Sequence, residues 1–159
     1  DKEYNNLKNI AGQFKEQPTV FAGLPWKDSW YIAGGKSNLA CLFKDAGATY
    51  IWENDTSTQS SPISLENVIN KVSEADFWLN SGSANSLNDI YLTDSRLSTF
   101  KAFKSKKVYN NNAKINSFGG IDYWESGIVN PQTALKDIIK IIHPQSFPNY
   151  KTYYYKKLE

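Results

Sequence analysis

The residues best able to do chemistry lie in the segment 118–131, which has the sequence FGGIDYWESGIVNP. A glycine pair precedes Tyr123 and Trp124, and glycine permits backbone conformations that bend a loop sharply. Two large aromatic side chains presented from such a loop could stack on an apolar or π-rich ligand. They could equally be core residues, because aromatic side chains dominate the energetics of protein cores. The segment therefore predicts either a ligand surface or a piece of the core.

Other arrangements that could support catalysis or metal binding are weak. Asp122 and Glu125 could share one helical face, but paired acid–base catalysis requires carboxyl groups that converge around a substrate. The chain has one histidine, His143, and one cysteine, Cys41, so neither a serine–histidine pair nor a multi-ligand zinc site is favoured. We predict no catalytic residue, no metal site and no cofactor. We expect Cys41 to be buried in a helix, and His143 to cap a helix C-terminus as an imidazolium.

Composition excludes several classes of function. The 159 residues match one domain of ordinary size, and the net charge of +2 arises from 18 basic and 16 acidic residues spread along the chain. No basic run is interleaved with aromatic residues, which argues against nucleic-acid binding. No apolar run approaches the roughly 18 residues of a membrane span. Gly35-Lys36-Ser37 is similar to the end of a phosphate-binding loop, but that pattern requires glycine where Trp30 stands.

The hydrophobic pattern alternates between helix and strand. It predicts helices over 4–14, 37–46, 64–72, 86–104 in two pieces, and from Pro131 onward, and strands over 19–24, 49–52, 76–80 and 107–109. Right-handed crossovers between parallel strands satisfy this order. We therefore predict an α/β fold with three layers (α/β/α) around a mostly parallel, roughly four-stranded sheet, preceded by the end of a helix.

Three long connections, 23–36, 53–63 and 110–121, follow the carboxyl ends of predicted strands. Open α/β sheets bind ligands at that edge. The aromatic and amide residues assigned to the expected ligand surface are Trp26, Trp30, Tyr31, Asn116, Tyr123 and Trp124. Aromatic groups among uncharged polar residues suit a ligand with a large apolar body and scattered polar groups. Loops also collect polar residues for solubility, so this interpretation has an alternative.

Several motifs, taken in order, resemble one protein family. They are WYIAGGKS at 30–37, LFKDAGA at 42–48, SLENV at 64–68, EADFW at 74–78, GGIDYWESG at 119–127, NPQTALKDII at 130–139 and YYYKKL at 153–158. Together they resemble the second lobe of ABC-transporter substrate-binding proteins of the helical-backbone class, the vitamin B12, haem and ferric-siderophore binding family. No single motif is specific, and the resemblance rests on the ordered set.

The resemblance implies an organisation and a function. Residues 1–17 would be the end of the interlobe helix and a linker, and residues 18–159 the C-terminal substrate-binding lobe. The chain opens within a helical pattern, as a fragment of a longer protein would. A metal chelate would bind in the interlobe cleft of a monomer and pass to an ABC permease in the membrane. The protein would be periplasmic or lipid-anchored at the cell envelope.

Glu66 acquires a role through the same resemblance. A helix that begins Ser64-Leu65-Glu66 is favourable for stability alone, because serine caps the helix and an acid suits its first turn. In the family, the corresponding glutamate is exposed and forms a salt bridge with arginines of the permease. The resemblance therefore implies that Glu66 is a permease-docking residue.

Two alternatives remain at this stage. One is an α/β enzyme or chelatase-like domain acting on a tetrapyrrole or metal complex, and the other is a protein-interaction module. Arg96, the one arginine, is predicted to lie within a helix away from the ligand surface. This placement favours a neutral or aromatic-rich ligand, or anion contacts from another lobe. Corrinoid, haem and ferric siderophore remain compatible with the sequence.

Overall fold

Helices and strands alternate along the chain, as the sequence predicts. The structure is a computed structural model that describes residues 1–159. In chain order the elements are α1 (Lys2–Ala11), β1 (Thr19–Ala22), β2 (Ser29–Ile32), α2 (Asn38–Asp45), β3 (Thr49–Tyr50), β4 (Ser61–Ser64), α3 (Leu65–Val72), β5 (Phe77–Leu79), α4 (Leu87–Thr93), α5 (Lys101–Lys104), β6 (Val108–Asn110), α6 (Ser126–Val129), α7 (Pro131–Ile142) and β7 (Lys156–Lys157).

The main sheet has five strands in the order β3-β1-β5-β6-β7. The first four are parallel, with Val20 of β1 opposite Tyr50 on one side and Phe77 on the other. Strand β7 is antiparallel to β6, pairing Lys157 with Tyr109. The predicted mostly parallel α/β sheet is confirmed, and β7 adds a short fifth strand that the lysine-rich sequence did not indicate.

A second, two-stranded sheet was not predicted. Strands β2 and β4 pair antiparallel over four residues each, from Ser29↔Ser64 to Ile32↔Ser61. The prediction that 23–36 and 53–63 are loops throughout is therefore wrong over these two segments. Strand β4 is short, polar and contains Pro62, which is typical of an edge strand and weakens any local strand signal.

Helices cover both faces of the sheet. Helices α1, α2 and α7 contact one another on one side. On the other side the start of α5 is joined to the end of α3 by a hydrogen bond from the Lys101 N–H to the Ser73 carbonyl. The helix starts follow the sequence signals, with Ser37, Ser64 and Ser86 as N-caps and Pro131 as the first residue of α7. The predicted break after α4 is a 3₁₀-helix at Ser95–Thr99.

Aromatic packing fills the core above β1 and β5. The rings of Phe21 and Trp78 lie 5.0 Å apart, and Phe100 packs on both of them. The Trp78 indole N–H donates to the Gly23 carbonyl at 2.8 Å. Gly23 has φ +100°, and a Cβ there would lie 2.7 Å from the Trp30 Nε1, so no other residue fits.

Asp137 of α7 holds the tyrosine-rich end of the chain. Its buried carboxylate accepts hydrogen bonds from the Tyr150 hydroxyl at 2.6 Å and from the N–H groups of Tyr153 (2.9 Å), Tyr154 (2.6 Å) and Tyr155 (3.2 Å). Burial raises the pKa of Asp137, against the opposing effect of these donors. The motifs at 130–139 and 153–158 are therefore two sides of one contact.

Two single residues differ from expectation. Cys41 is exposed on α2, not buried, because the buried face of this helix is formed by Ala40, Leu42 and Phe43. His143 does cap the C-terminus of α7. It is buried, and its ring stacks on that of Phe14 with the ring centroids 4.2 Å apart. Burial lowers the pKa of His143, so the imidazolium is disfavoured.

Candidate functional site

Segments that leave three neighbouring parallel strands meet at the carboxyl edge of the sheet. Residues 23–26 follow β1, residues 80–82 follow β5, and residues 111–113 follow β6. The expected connections 23–36 and 110–121 therefore begin at one edge, and 53–63, which follows the parallel strand β3, begins on the same side of the sheet. Ligands of open α/β folds bind in this position because loops from adjacent strands can converge there.

The interior of this edge is polar. Asn80 accepts a hydrogen bond from the Tyr155 hydroxyl at 2.6 Å, and Asn110 donates to the carbonyls of Gly82 and Ala84 at 2.9 and 2.8 Å. Four buried polar atoms here have no partner within the chain, namely Asn80 Nδ2, Ser81 Oγ, Asn111 Nδ2 and Asn112 Oδ1. Asn111 and Asn112 lie in the predicted connection 110–121, but none of these four residues was assigned to the expected ligand surface. The available signal was the run of amide and hydroxyl residues immediately after β5 and β6.

Trp26 and Tyr31 are both accessible, with 68% and 60% of their surface exposed. Trp26 lies in the tight turn that leads into β2, where it pairs with Ser29. Tyr31 lies on β2 rather than in a loop. Both are available for contact with a ligand or a partner.

Trp30 is not at this surface. It is fully buried, and its indole N–H donates to the Ala22 carbonyl at 3.0 Å. Successive side chains of a strand point to opposite faces, so β2 can expose Tyr31 only by burying Trp30. The expectation that Trp30 faces a ligand is therefore wrong.

Tyr123 and Trp124 form a T-shaped aromatic pair in a 3₁₀-helix at Asp122–Trp124. Trp124 is 57% exposed, and the centroids of the two rings lie 5.0 Å apart with their planes nearly perpendicular. Tyr123 is buried against Tyr154 and Tyr155, and burial raises its pKa. Both interpretations of this segment hold in part, because Tyr123 belongs to the core and supports an accessible Trp124.

A cavity of about 630 Å³ lies beside this pair, between the starts of α1, α2 and α7. Its apolar lining includes Leu39, Leu42, Trp124 and Ile128, and the thiol-bearing Cys41 lies at its wall. A larger cavity of about 960 Å³ lies at the opposite, amino edge of the sheet, where five lysines contribute to its lining. The smaller cavity is the one that adjoins the candidate site.

Asn116 supports the backbone of its own turn. Its Oδ1 accepts from the N–H groups of Phe118 and Gly120 at 3.0 and 2.7 Å, and its Nδ2 donates to Glu125 Oε1 at 2.7 Å. The amide is thus engaged within the chain, so the structure gives Asn116 a structural position rather than an open ligand-facing one.

The two carboxylates considered for acid–base chemistry have different hydrogen-bond partners. Asp122 accepts from the Ser126 hydroxyl at 2.7 Å, whereas Glu125 accepts from Asn116. No group of three or more histidine, cysteine, aspartate or glutamate side chains is arranged to hold a metal ion. None of the helices combines the length and the apolar character required to traverse a bilayer.

Glu66 is exposed at the start of α3 and forms no salt bridge within the chain. The start of α3 is fixed to the Trp26–Ser29 turn by a hydrogen bond from the Leu65 N–H to the Asp28 carbonyl at 3.0 Å. Arg96 is paired with Asp94 at 2.7 Å. The Glu66 carboxylate is therefore accessible to a partner.

Comparison with known proteins identifies the fold. No protein-family model matches the sequence. An uncharacterized lipoprotein of Methanocaldococcus jannaschii is 25% identical over 99% of this chain, which corresponds to 37% of the lipoprotein. A periplasmic solute-binding protein of Veillonella parvula superposes with a TM-score of 0.68 at 19% identity, over 94% of this chain and 44% of that protein. The periplasmic haem-binding protein RhuT of Roseiflexus superposes with a TM-score of 0.65 at 18% identity, over 91% of this chain and 53% of that protein.

The chain has the fold of one lobe of the periplasmic solute-binding proteins. This confirms, at the level of the fold, the resemblance identified in the sequence. The chain spans about half of the length of the matched structures and a smaller share of the lipoprotein. The rest of each of these proteins lies outside the match.

Proposed function

We propose that this chain is the C-terminal lobe of a solute-binding component of an ABC importer. Residues 18–159 would form the lobe and residues 1–17 the end of the interlobe helix and its linker. The protein captures a metal chelate in the interlobe cleft and delivers it to the permease. It would act as a monomer in the periplasm or anchored by lipid at the cell envelope.

The observation that carries this proposal is the exposure of Trp26, Tyr31 and Trp124 on a lobe of solute-binding fold. Trp124 and Trp26 belong to segments that leave the carboxyl edge, where ligands of this architecture bind. Burial of these aromatic side chains under a ligand or a partner would contribute favourable free energy. A second lobe facing this edge would enclose such a ligand.

The chemistry of the surface favours a ligand with an apolar or π-rich body. Aromatic side chains contribute area and stacking, and amide groups at the edge supply polar contacts. The one arginine is already paired with Asp94, so this lobe offers no free guanidinium for an anionic chelate. Corrinoids and the apolar ring of haem fit this surface better than a strongly anionic siderophore, and the two haem propionates would then find their cationic partners on the second lobe. Haem is the ligand named for the Roseiflexus neighbour.

Fluorescence titration of the full-length protein tests the proposal. Haem, cyanocobalamin and a ferric trihydroxamate are the three probes, and tryptophan quenching reports binding. We expect at least one probe to bind, and Trp124→Ala to weaken that binding by about three- to tenfold, as loss of one aromatic contact predicts. Leu92→Ala, an exposed apolar residue on α4, serves as the control and should bind as wild type does. Absence of binding by all three probes would overturn the proposed function.

We further propose that Glu66 docks the lobe onto the permease. An exposed charge at the rim of an interface chiefly steers association and its salt dependence. Glu66→Gln should keep ligand affinity but reduce uptake in cells or proteoliposomes. Glu74→Gln, just beyond the other end of the same helix and also exposed, is the matched control. Equal uptake by the two variants, with the corresponding carboxylate of the first lobe also removed, would refute the docking role.

A further inference from the structure

The connection after β6 ends in a tight turn that presents one aromatic side chain. We call residues 115–121 the Asn116 turn. Ile115 and Ile121 pair at its base, the Asn116 N–H donates to the Gly120 carbonyl at 2.8 Å, and the Gly119 N–H donates to the Asn116 carbonyl at 3.0 Å. Phe118 lies at its tip and is 96% exposed, more than any other large apolar residue of the chain.

The turn is fixed from within and does not depend on the Phe118 ring. The side-chain oxygen Oδ1 of Asn116 accepts hydrogen bonds from the backbone N–H groups of Phe118 and Gly120, which is how asparagine stabilises tight turns. Gly119 has φ +85°, a conformation that glycine adopts without strain. The backbone at Phe118 is therefore fixed by hydrogen bonds that do not involve the ring, and the ring itself is exposed to water.

The same turn is joined to the segment that carries Trp124. Asn116 Nδ2 donates to Glu125 Oε1 at 2.7 Å, and Glu125 directly follows Trp124. Trp124 in turn rests on the buried Tyr123. Phe118 and Trp124 are thus two exposed aromatic side chains mounted on one hydrogen-bonded unit, and that unit is anchored in the core.

We propose that Phe118 is a ligand-contacting residue that selects a metal chelate with a flat, apolar macrocyclic face. This inference rests on the proposed function and names the ligand class of the same site. The neighbours of Phe118 in the turn, Ser117 and Gly119, carry no charge. Such a tip suits an apolar face of a ligand, whereas the proposed permease contact relies on a carboxylate. A rigid aromatic residue binds with little loss of conformational entropy, which favours affinity.

Asn116 is then a positioning residue, because it holds Phe118 without contacting the ligand. Asn116→Ala removes three hydrogen bonds of the turn and should weaken binding in the same direction as loss of the ring. The pair Asn116→Asp with Glu125→Gln restores them, since the aspartate accepts from the backbone and the new glutamine donates to it. Hydrogen exchange at the Phe118 and Gly120 amides gives a readout that is independent of affinity. Both amides should exchange faster in the alanine variant and return to wild-type rates in the paired variant.

The decisive measurement compares haem with a ferric trihydroxamate in the full-length protein. Phe118→Ala should weaken haem binding about tenfold or more, the order expected from burying a phenylalanine side chain. Phe118→Trp should retain haem affinity, Leu92→Ala should match wild type, and trihydroxamate binding should change less than haem binding.

Three results would overturn the inference. If Phe118→Ala binds haem as wild type does while Trp124→Ala is weakened, Phe118 has no ligand role and the proposed function stands. If wild type binds the trihydroxamate but not haem, the macrocyclic ligand class is wrong. If Phe118→Ala keeps its affinity but loses uptake, Phe118 contacts the permease. Failure of wild type to bind any probe is a separate outcome, which removes the proposed function together with this inference.

Discussion

At the scale of single residues, Asp137 explains a sequence motif that has no apparent local function. Its carboxylate accepts from the Tyr150 hydroxyl and from three consecutive backbone N–H groups, and it is completely buried. A short side chain on α7 therefore fixes the position of the last residues of the chain, including β7. Loss of it would leave several buried donors without an acceptor.

We expect Asp137→Ala to lower the free energy of unfolding by about 2–4 kcal/mol, since unpaired buried donors carry the full desolvation cost. Chemical denaturation followed by circular dichroism measures this value. Asp122→Ala is the control, because that carboxylate is only partly buried and pairs with a single hydroxyl. A loss no greater than that of the control would contradict the assigned role of Asp137.

His143 gives the protein a predictable response to acid. Burial lowers its pKa below the usual 6.5, and Glu16 acts against this shift. Between the lowered pKa and 6.5 the unfolded chain binds more protons than the folded one, so stability falls as pH drops through that window. Above 6.5 the contribution is fully present.

Replacement of the single histidine should remove this response. We expect His143→Phe, which keeps the stacking on Phe14, to flatten the pH dependence of unfolding between neutral and mildly acidic conditions. Urea unfolding at several pH values gives the slope for each protein, and the comparison is independent of any constant stability offset. An unchanged slope in the variant would mean that another group causes the acid sensitivity.

At the scale of elements, the sequence is informative where the pattern is local. The amphipathic helices and the apolar strands β1 and β5 follow from hydrophobic spacing and from serine and proline at the helix starts. The two-stranded β2–β4 sheet was missed because its strands are about thirty residues apart in the chain and because β4 is polar. The pairing of β2 with β4 determines which way Trp30 and Tyr31 point, and residue spacing in the sequence alone could not predict this.

The alternation along β2 yields a paired prediction. Trp30→Ala should destabilise the lobe by about 3–5 kcal/mol, the range for removing a large buried aromatic side chain. Tyr31→Ala should change stability by less than about 0.5 kcal/mol, as is usual for surface positions. Thermal or chemical unfolding of the two variants provides the test. A comparable loss from both would mean that β2 is covered on both faces.

At the scale of the whole molecule, the carboxyl edge of the sheet was predictable but its detailed surface was not. Strand order places the connections on one edge, and this follows from the alternation of elements. Which side chains remain accessible depends on tertiary contacts, as Tyr123 and Asn116 illustrate. Phe118 opens the segment 118–131 singled out in the sequence, but it was not assigned to the ligand surface because a single aromatic residue in a glycine-containing segment has no distinctive local pattern.

The proposed two-lobe arrangement predicts that the isolated 159-residue lobe folds but binds its ligand poorly. Its strands, with helices on both faces, enclose a core of 37 buried residues without a partner lobe. Good binding sites bury about 70–90% of a ligand's surface, and one wall alone covers roughly half of that area.

We therefore expect the isolated lobe to bind about 100-fold more weakly than the full-length protein, or worse, with the same probe. Calorimetry on both proteins, with circular dichroism to establish that the isolated lobe is folded, measures the difference. Leu92→Ala in both backgrounds controls for effects of surface substitution, because Leu92 is exposed on α4 at a distance in sequence from every residue of the proposed site. Equal affinities would mean that the whole site lies within this lobe, and that Trp26, Tyr31 and Trp124 enclose the ligand without a second wall.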